Sequence, residues 1–226
     1  LQVGGPALGG PDLDYDHEFA ETFIEYCREQ QLPLDFFSWH LYFNDPKEYV
    51  AHGMRHRRKL DDNGFKATKM YLTEWGWLSG NGYPPPREDL AGMQDAAADI
   101  AALITMHDFI DMAHFYVGVA MIDYPWGLFD FTAKGGKTHV SPRKSYYALK
   151  AYHGFSSADN KLESTIAGEY DFAAIAGMSA AKDTLNVLLS NYGSPVNGYD
   201  IHITQVPWKG EVVCKVYSLD STHHFS

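Results

Sequence analysis

Three side chains on two apolar segments combine a carboxylate, an imidazole and a phenol. Glu74 ends the apolar run in KMYLTEWG, and His40 and Tyr42 lie two residues apart in LDFFSWHLY. If the two segments are adjacent strands, alternation of side chains places His40 and Tyr42 on one face beside Glu74. A phenol that donates a hydrogen bond to a carboxylate holds it in place and stabilises the charged form. Such a carboxylate is suited to attack an electrophilic carbon, for example the anomeric carbon of a sugar.

Glu74 also has a plainer interpretation. A single glutamate at a strand end commonly caps the next helix or pairs with a lysine. A histidine in a strand is more often a hydrogen-bonded core residue than a functional one. Strict alternation along the strand further predicts that Met70 and Leu72 lie beneath Glu74 on the same face.

The periodicity of apolar residues predicts four strand–helix repeats in the first part of the chain. Strands are expected at residues 1–3, 34–42, 69–75 and 112–119, and helices at residues 16–31, 45–64 and 87–107 and after Ser141-Pro142. Such alternation is typical of a parallel α/β sheet with helices packed outside it. Four repeats are half of an eightfold (β/α)8 TIM barrel, and a flavodoxin-like open sheet is the structural alternative.

After about residue 156 the pattern changes to short strands without helices. Strands are predicted at residues 185–190, 199–206 and 212–219, between turns rich in Gly, Pro and Asn. This pattern indicates an antiparallel β-sandwich, which is incomplete because three or four strands make a thin sheet. We therefore predict two domains, residues 1–155 and residues 156–226.

Charge and hydropathy exclude several classes of protein. The net charge is −11 with 18 basic residues, which disfavours a nucleic-acid partner. No run approaches the roughly 20 apolar residues of a membrane span, and no signal-peptide pattern opens the chain. These features predict a soluble protein of unassigned compartment. The chain begins without Met inside a strand-like run, which is typical of a fragment or a processed product.

Cysteine, histidine and glycine spacing indicates no cofactor. Cys27 and Cys214 are far apart and lie in apolar patterns, so two buried free thiols are expected. No histidine has metal-ligand spacing to a cysteine or carboxylate. Gly4-Gly5 is too short for a dinucleotide fingerprint, and no glycine-rich phosphate loop follows a strand. An open-sheet nucleotide-binding protein is therefore disfavoured, and neither a metal nor an organic cofactor is expected.

Five segments, in order, resemble the C-terminal part of glycoside hydrolase family 39, the group of β-xylosidases and α-L-iduronidases. VGGPAL resembles the family's fifth strand, LDFFSWHLY its sixth and KMYLTEWG its seventh. WGLFDFTAKGGKTHVSPRKSYYALKAY resembles the segment that joins the eighth strand to its helix, and YSLDSTHHFS resembles a strand of the accessory sandwich. The resemblance covers nearly the whole chain. It implies strands five to eight of the barrel, followed by part of an accessory β-sandwich.

The resemblance also implies roles for individual residues. Glu74 would be the nucleophile of a retaining glycosidase that acts on β-xylosides or related glycans. The family's eighth strand often ends in a Trp that forms the floor of the sugar site, and here either Tyr116 or Trp126 would replace it. Gly4 and Gly5 would let the backbone approach the ligand. The implied substrate-binding residues are His40, Tyr42, Gly5, Tyr116 and Trp126.

One departure from the family pattern bears on activity. The family's acid/base glutamate lies in an Asn-Glu-Pro motif on strand four, and this sequence contains no such motif. A retaining glycosidase needs two carboxyl groups about 5–5.5 Å apart. The chain by itself is therefore expected to be weak or inactive on unactivated glycosides. The alternative is a non-catalytic carbohydrate-binding or structural half barrel.

Four barrel strands would leave two unpaired sheet edges and an exposed inner face. Two copies related by a twofold axis would supply eight strands and cover both inner faces. The expected partners are therefore a carbohydrate ligand and a second copy of the chain, which would complete the barrel as a homodimer.

Overall fold

Four parallel strands, hydrogen-bonded in chain order, form the main sheet. The computed structural model describes residues 1–9, 14–78, 92–119, 127–134, 136–156, 158, 160–167, 171–196 and 198–225, with residues 14–17 and 133–134 described for the backbone only. The sheet contains β1 (Gly4–Leu8), β2 (Phe36–Phe43), β3 (Lys69–Trp77) and β4 (Met112–Phe115). Helices α1 (Asp14–Glu29), α2 (Pro46–Asp62) and α3 (Met93–Met106) follow the first three strands. The fold is therefore mixed α/β with a parallel sheet, as the repeat pattern predicted.

Two antiparallel sheets follow the parallel one. A hairpin of β5 (Phe129–Lys134) and β6 (Lys137–Pro142) precedes helix α4 (Lys144–Ser156). Three further strands, β7 (Asn160–Leu162), β8 (Phe172–Met178) and β9 (Leu185–Asn191), form a sheet in chain order. The predicted boundary between residues 155 and 156 falls at the end of α4 and stays a prediction.

The helices cover one face of the parallel sheet. Phe37, Trp39 and Leu41 of β2 are buried there, as alternation predicted. They pack with residues of helices α1, α2 and α3. The residues contributed by the helices are Ala20, Ile24, Tyr49, Leu60, Ala102 and Met106. We call the opposite face, which carries Ser38, His40 and Tyr42, the open face.

Helix α3 has a second apolar side that joins the two parts of the molecule. Ala96, Ile100 and Ala101 pack with residues of α4 and with Ala173 and Ile175 of β8. The Ser190 hydroxyl of β9 also donates a hydrogen bond to the Ala97 carbonyl, at 2.6 Å. The three-stranded sheet therefore shares a core with the helices of the parallel sheet.

The first strand differs from the sequence prediction. Gly4-Gly5-Pro6 was expected to end a strand over residues 1–3, but β1 runs through these residues to Leu8. β1 pairs only with β2 among the described strands and so lies at the sheet edge. Pro6, which has no N–H to donate, is tolerated in a strand at such an edge.

Helix and strand ends near the fourth repeat also differ. β4 ends at Phe115 rather than residue 119, and the predicted helix start at residue 87 lies outside the described residues. Ser141-Pro142 was expected to cap the last helix, but both residues pair with β5 as the end of β6. An Ser-Pro pair can begin a helix or end an edge strand, because proline has no N–H in either position.

Two of the three predicted sandwich strands are wrong. Residues 185–190 fall in β9, but residues 199–206 and 212–219 form no ladder, and their only pairing among the described residues is the bridge between Leu219 and His224. Alternating apolar residues indicate a strand with one apolar face, but they do not supply a neighbour to pair with. Cys27 is buried as expected, whereas Cys214, in the unpaired segment, is exposed. Among the described helices, none is long and apolar enough to cross a membrane.

Two carboxyl groups of α3 are buried one helical turn apart. Asp95 is 3% exposed and Asp99 is 0% exposed. Burial raises the pKa of Asp95 from 3.8 to about 8, against the opposing effects of the Ser145 hydroxyl, which donates a hydrogen bond to it, and of Arg143. Burial, and then the Asp95 charge, raise the pKa of Asp99 well above its usual range. Both groups are therefore protonated in the folded protein near neutral pH.

This pair predicts that stability decreases as the pH rises. Between about pH 4 and about pH 8 the folded state holds a proton on Asp95 that the unfolded chain has released, so each pH unit lowers the free energy of unfolding by up to about 1.4 kcal/mol. Asp95→Asn keeps the shape and removes this titration. Urea unfolding at several pH values should therefore show a flatter profile for the variant, with a greater stability than wild type near pH 8. An unchanged profile would contradict the assignment.

Candidate active site at the ends of the parallel strands

A bulge in β3 decides which way Glu74 points. In the pairing of β2 with β3, Trp39 is opposite Leu72 but His40 is opposite Glu74, so Thr73 is one extra residue. The register with β4 shifts over the same stretch, between Leu72 and Trp75. A bulge of this kind moves the following side chains to the other face of the sheet.

The bulge corrects one sequence prediction. Met70 and Leu72 were expected on the same face as Glu74, but both are buried under the helices in the main core. Strict alternation would have placed Glu74 there with them. With Thr73 inserted, Glu74 lies on the open face with His40 and Tyr42, and Trp75 returns to the core.

The Glu74 carboxylate contacts both side chains of the adjacent strand. The Tyr42 hydroxyl donates a hydrogen bond to Glu74 Oε2 at 3.0 Å, and His40 Nδ1 lies 3.6 Å from the same oxygen. The Glu74 side chain is 38% exposed, which leaves it accessible to a ligand. Among the described residues these are its polar neighbours, and neither is the lysine or helix cap that the plainer interpretation required.

Tyr116 is the aromatic residue that lies beside this group. The Tyr116 and Tyr42 rings meet edge to face, with centroids 6.1 Å apart. The Tyr116 backbone N–H donates a hydrogen bond to the Trp75 carbonyl at 2.8 Å, which holds Tyr116 at the end of β3. Trp126 lies outside the described residues. Tyr116 is therefore the aromatic candidate that the structure brings to the Glu74 group.

Different structural constraints favour glycine at positions 4 and 5. A Cβ at Gly4 would lie 2.0 Å from the Phe36 carbonyl oxygen of β2, so Gly4 permits a close approach of two strands. Gly5, which pairs with Phe37, has φ +154°, a conformation that side-chain-bearing residues rarely adopt. A Cβ at Gly5 would meet open space, so an approach of ligand to this residue stays a prediction.

Tyr49 of α2 is a residue at this site that the sequence interpretation missed. Its hydroxyl donates a hydrogen bond to the Gly76 carbonyl at 2.8 Å, two residues after Glu74. The signal that could have found it is physical, since a buried tyrosine usually has a polar partner for its hydroxyl. Among the described residues, no cluster of three or more His, Cys, Asp or Glu could hold a metal ion.

No protein-family model matches the chain. Among solved structures, a glucosidase from Croceicoccus marinus is 29% identical, with a TM-score of 0.68 over 86% of this chain and 40% of that one. A GH39 β-xylosidase from Caulobacter crescentus is 19% identical, with a TM-score of 0.53 over 78% of this chain and 38% of that one. A family 51 α-L-arabinofuranosidase from Bifidobacterium longum is 14% identical, with a TM-score of 0.52 over 81% of this chain and 45% of that one.

The chain is similar in fold to a segment of these glycoside hydrolases. It spans about 40% of the length of the glucosidase. The similarity extends to structures of two glycosidase families, 39 and 51. The narrower assignment to family 39 therefore stays a prediction.

The close approach at Gly4 gives a test of the strand that begins the site. Gly4→Ala would place a methyl group against the Phe36 carbonyl and force β1 away from β2, which should lower the free energy of unfolding by about 2 kcal/mol or more. Gly9→Ala is the matched control, because a Cβ there meets open space. Urea unfolding of both variants measures the difference. Equal stabilities would show that β1 does not pair with β2 in this way.

Proposed function

We propose that this chain supplies the nucleophile side of a retaining glycoside hydrolase site, with Glu74 as the nucleophile. The observation that carries the proposal is the partly exposed Glu74 carboxylate on the open face, held by the Tyr42 hydroxyl and flanked by His40. The 29% identity to a glucosidase over 86% of this chain supports a sugar as the ligand. A β-linked xyloside or related glycan is the substrate class that we infer from the sequence resemblance.

The geometry supports a specific first step. Among the described residues both contacts of the carboxylate are to Oε2, so Oε1 would be the oxygen that attacks the anomeric carbon. A new C–O bond forms to Glu74 while the glycosidic C–O bond breaks, and the leaving oxygen takes the electron pair. Water then cleaves the glycosyl ester and restores the carboxylate. His40, Tyr42 and Tyr116 would bind and orient the sugar ring in this scheme.

The leaving oxygen needs a proton from a second carboxyl group in the usual reaction. The sequence has no Asn-Glu-Pro motif to supply it. General acid catalysis contributes about 10²–10⁴-fold, so we expect the chain alone to be weak or inactive on ordinary glycosides. Substrates with an acidic leaving group avoid this requirement, because a stable anion departs without a proton.

A dinitrophenyl 2-deoxy-2-fluoro-β-xyloside therefore tests the nucleophile directly. The leaving group needs no acid, and the fluorine slows hydrolysis of the glycosyl ester, so intact mass and peptide mapping should reveal one adduct on Glu74. Glu74→Gln should abolish labelling, because an amide is a poor nucleophile. Glu48→Gln is a matched control, since Glu48 is 39% exposed and Glu74 is 38% exposed.

An adduct on another residue, or labelling of Glu74→Gln, would overturn the role of Glu74. Calorimetry with xylo-oligosaccharides tests the alternative of a protein that binds sugar without cleaving it. Sugar binding without any adduct would favour the non-catalytic carbohydrate-binding protein that the missing acid motif also fits.

We further propose that the parallel sheet is half of a (β/α)8 barrel that two copies complete. In support, β1 and β4 each pair on one side only among the described strands, and the sheet is covered by helices on one face. The open face carries a stacked pair of aromatic rings, Phe36 and Tyr71, that a second copy could cover.

Light scattering coupled to gel filtration tests the assembly. We expect the mass of a dimer, because pairing of the strand edges would bury both open faces. A monomer across the accessible concentration range would contradict the proposed dimer and leave the role of Glu74 unaffected.

A further inference from the structure

Tyr49 lies directly behind the strand ends that carry Tyr42 and Glu74. It belongs to α2, is 2% exposed and packs edge to face on Trp75, with ring centroids 6.0 Å apart. Its hydroxyl reaches through the core to the backbone of the sheet. Tyr49 thus lies on the helix side of the sheet, opposite the open face.

The hydroxyl contacts the backbone of β3 near its end. It donates a hydrogen bond to the Gly76 carbonyl of β3 at 2.8 Å. Gly76 lies opposite Tyr42 in the register of the two strands. The phenol oxygen therefore contacts the backbone two residues after Glu74, at the position opposite Tyr42.

The bulge makes this link important for the strand end. Thr73 interrupts the regular pairing of β2 and β3 immediately before Glu74, and a bulge locally disrupts the ladder. The segment from Glu74 to Trp77 is then held after the bulge by four residue pairs with β2, by the hydrogen bonds of the Trp75 carbonyl and the Trp77 indole, and by Tyr49. A shift of this segment would change the 3.0 Å distance between Tyr42 and Glu74.

The surroundings keep the phenol in its donor form. Burial raises the pKa of Tyr49 far above its usual range, and ionisation of the nearby Asp99 or Asp95 would raise it further. The Tyr49 hydroxyl therefore keeps its proton at neutral pH and well above it. The environment is also dry, which strengthens a hydrogen bond to a backbone carbonyl.

We propose that Tyr49 is a positioning residue for Glu74, whose hydroxyl holds the end of β3 after the bulge and so sets the contact between Glu74 and Tyr42. The catalytic consequence rests on the proposed function, but the structural consequence does not. A phenol that only stabilised the fold would contribute to unfolding free energy without affecting the state of the Glu74 carboxylate.

Tyr49→Phe removes the hydroxyl and keeps the packing. Tyr152→Phe is the control, because Tyr152 is partly buried, its hydroxyl is 2.7 Å from His107 Nδ1, and it lies on α4 outside this group. Both variants should lose a similar small amount of stability, since each loses one hydrogen bond. Thermal unfolding of both variants checks that they remain folded and that their losses of stability are similar.

Two readouts on these variants test the inference. The first is the rate of labelling by the dinitrophenyl fluoroxyloside. Tyr49→Phe should lower the maximal rate about tenfold with little change in the half-saturating concentration. The reason is that a site with a displaced nucleophile still binds the substrate but reacts slowly. Tyr152→Phe should label as wild type does. The second is the ¹³C resonance of the Glu74 carboxyl group in protein labelled at glutamate Cδ, assigned with Glu74→Gln.

The carboxyl resonance does not depend on turnover. Tyr42→Phe, which removes the direct hydrogen bond, gives the reference displacement of this signal, and Tyr49→Phe should move it in the same direction while Tyr152→Phe leaves it in place. If wild type is not labelled but the resonance behaves in this way, the proposed function fails and the positioning role stands. A Glu74 resonance in Tyr49→Phe that matches wild type would overturn the inference, whatever the labelling shows.

Discussion

The single extra residue at Thr73 reconciles two demands on β3. The strand buries Met70, Leu72 and Trp75 against the helices, and it also presents Glu74 to the open face. Strict alternation satisfies only one of these demands, because Glu74 would follow Met70 and Leu72 into the core. An unpaired carboxylate in that core would cost several kcal/mol or would be protonated. The bulge moves Glu74 across the sheet and returns Trp75 to the helix side.

The position of Glu74 therefore depends on backbone geometry that the local sequence encodes weakly. The types of residue at the site, and the strands that carry them, could be predicted from apolar periodicity and strand ends. The face of the sheet that the β3 residues after Thr73 occupy could not be predicted, because Thr is a favourable strand residue and no glycine marks the bulge. His40 and Tyr42 were placed on the open face because β2 keeps regular alternation along its length. The contact between Tyr42 and Glu74 followed from the register, which only the paired strands define.

The errors elsewhere have a similar origin, because a strand is defined by its partner. Segment 199–206 has the alternation of a strand, yet Tyr199, Ile201 and Ile203 remain more than half exposed. Conversely, β8 has the sequence FAAIAGM, whose alanines and glycine give little strand signal. It is nevertheless the middle strand of its sheet, because small residues let it pack closely on α3 and α4. Packing against neighbours decides both cases, and neither segment shows that neighbour in its own sequence.

The helix side of the site contains polar groups that a purely structural core would avoid. Asp95, Asp99 and Ser145 lie buried where α3 meets α4, and both acids are close enough to Tyr49 for their ionisation to affect its hydroxyl. Well-packed apolar residues at such positions are often as stabilising or more so. Departures from local rules are expected where a protein must position groups precisely, rather than where it only needs to pack. Here the polar groups lie near Tyr49, whose hydroxyl contacts the backbone two residues after Glu74. The proposed role of Tyr49 would therefore connect the polar core on the helix side to the carboxylate on the open face.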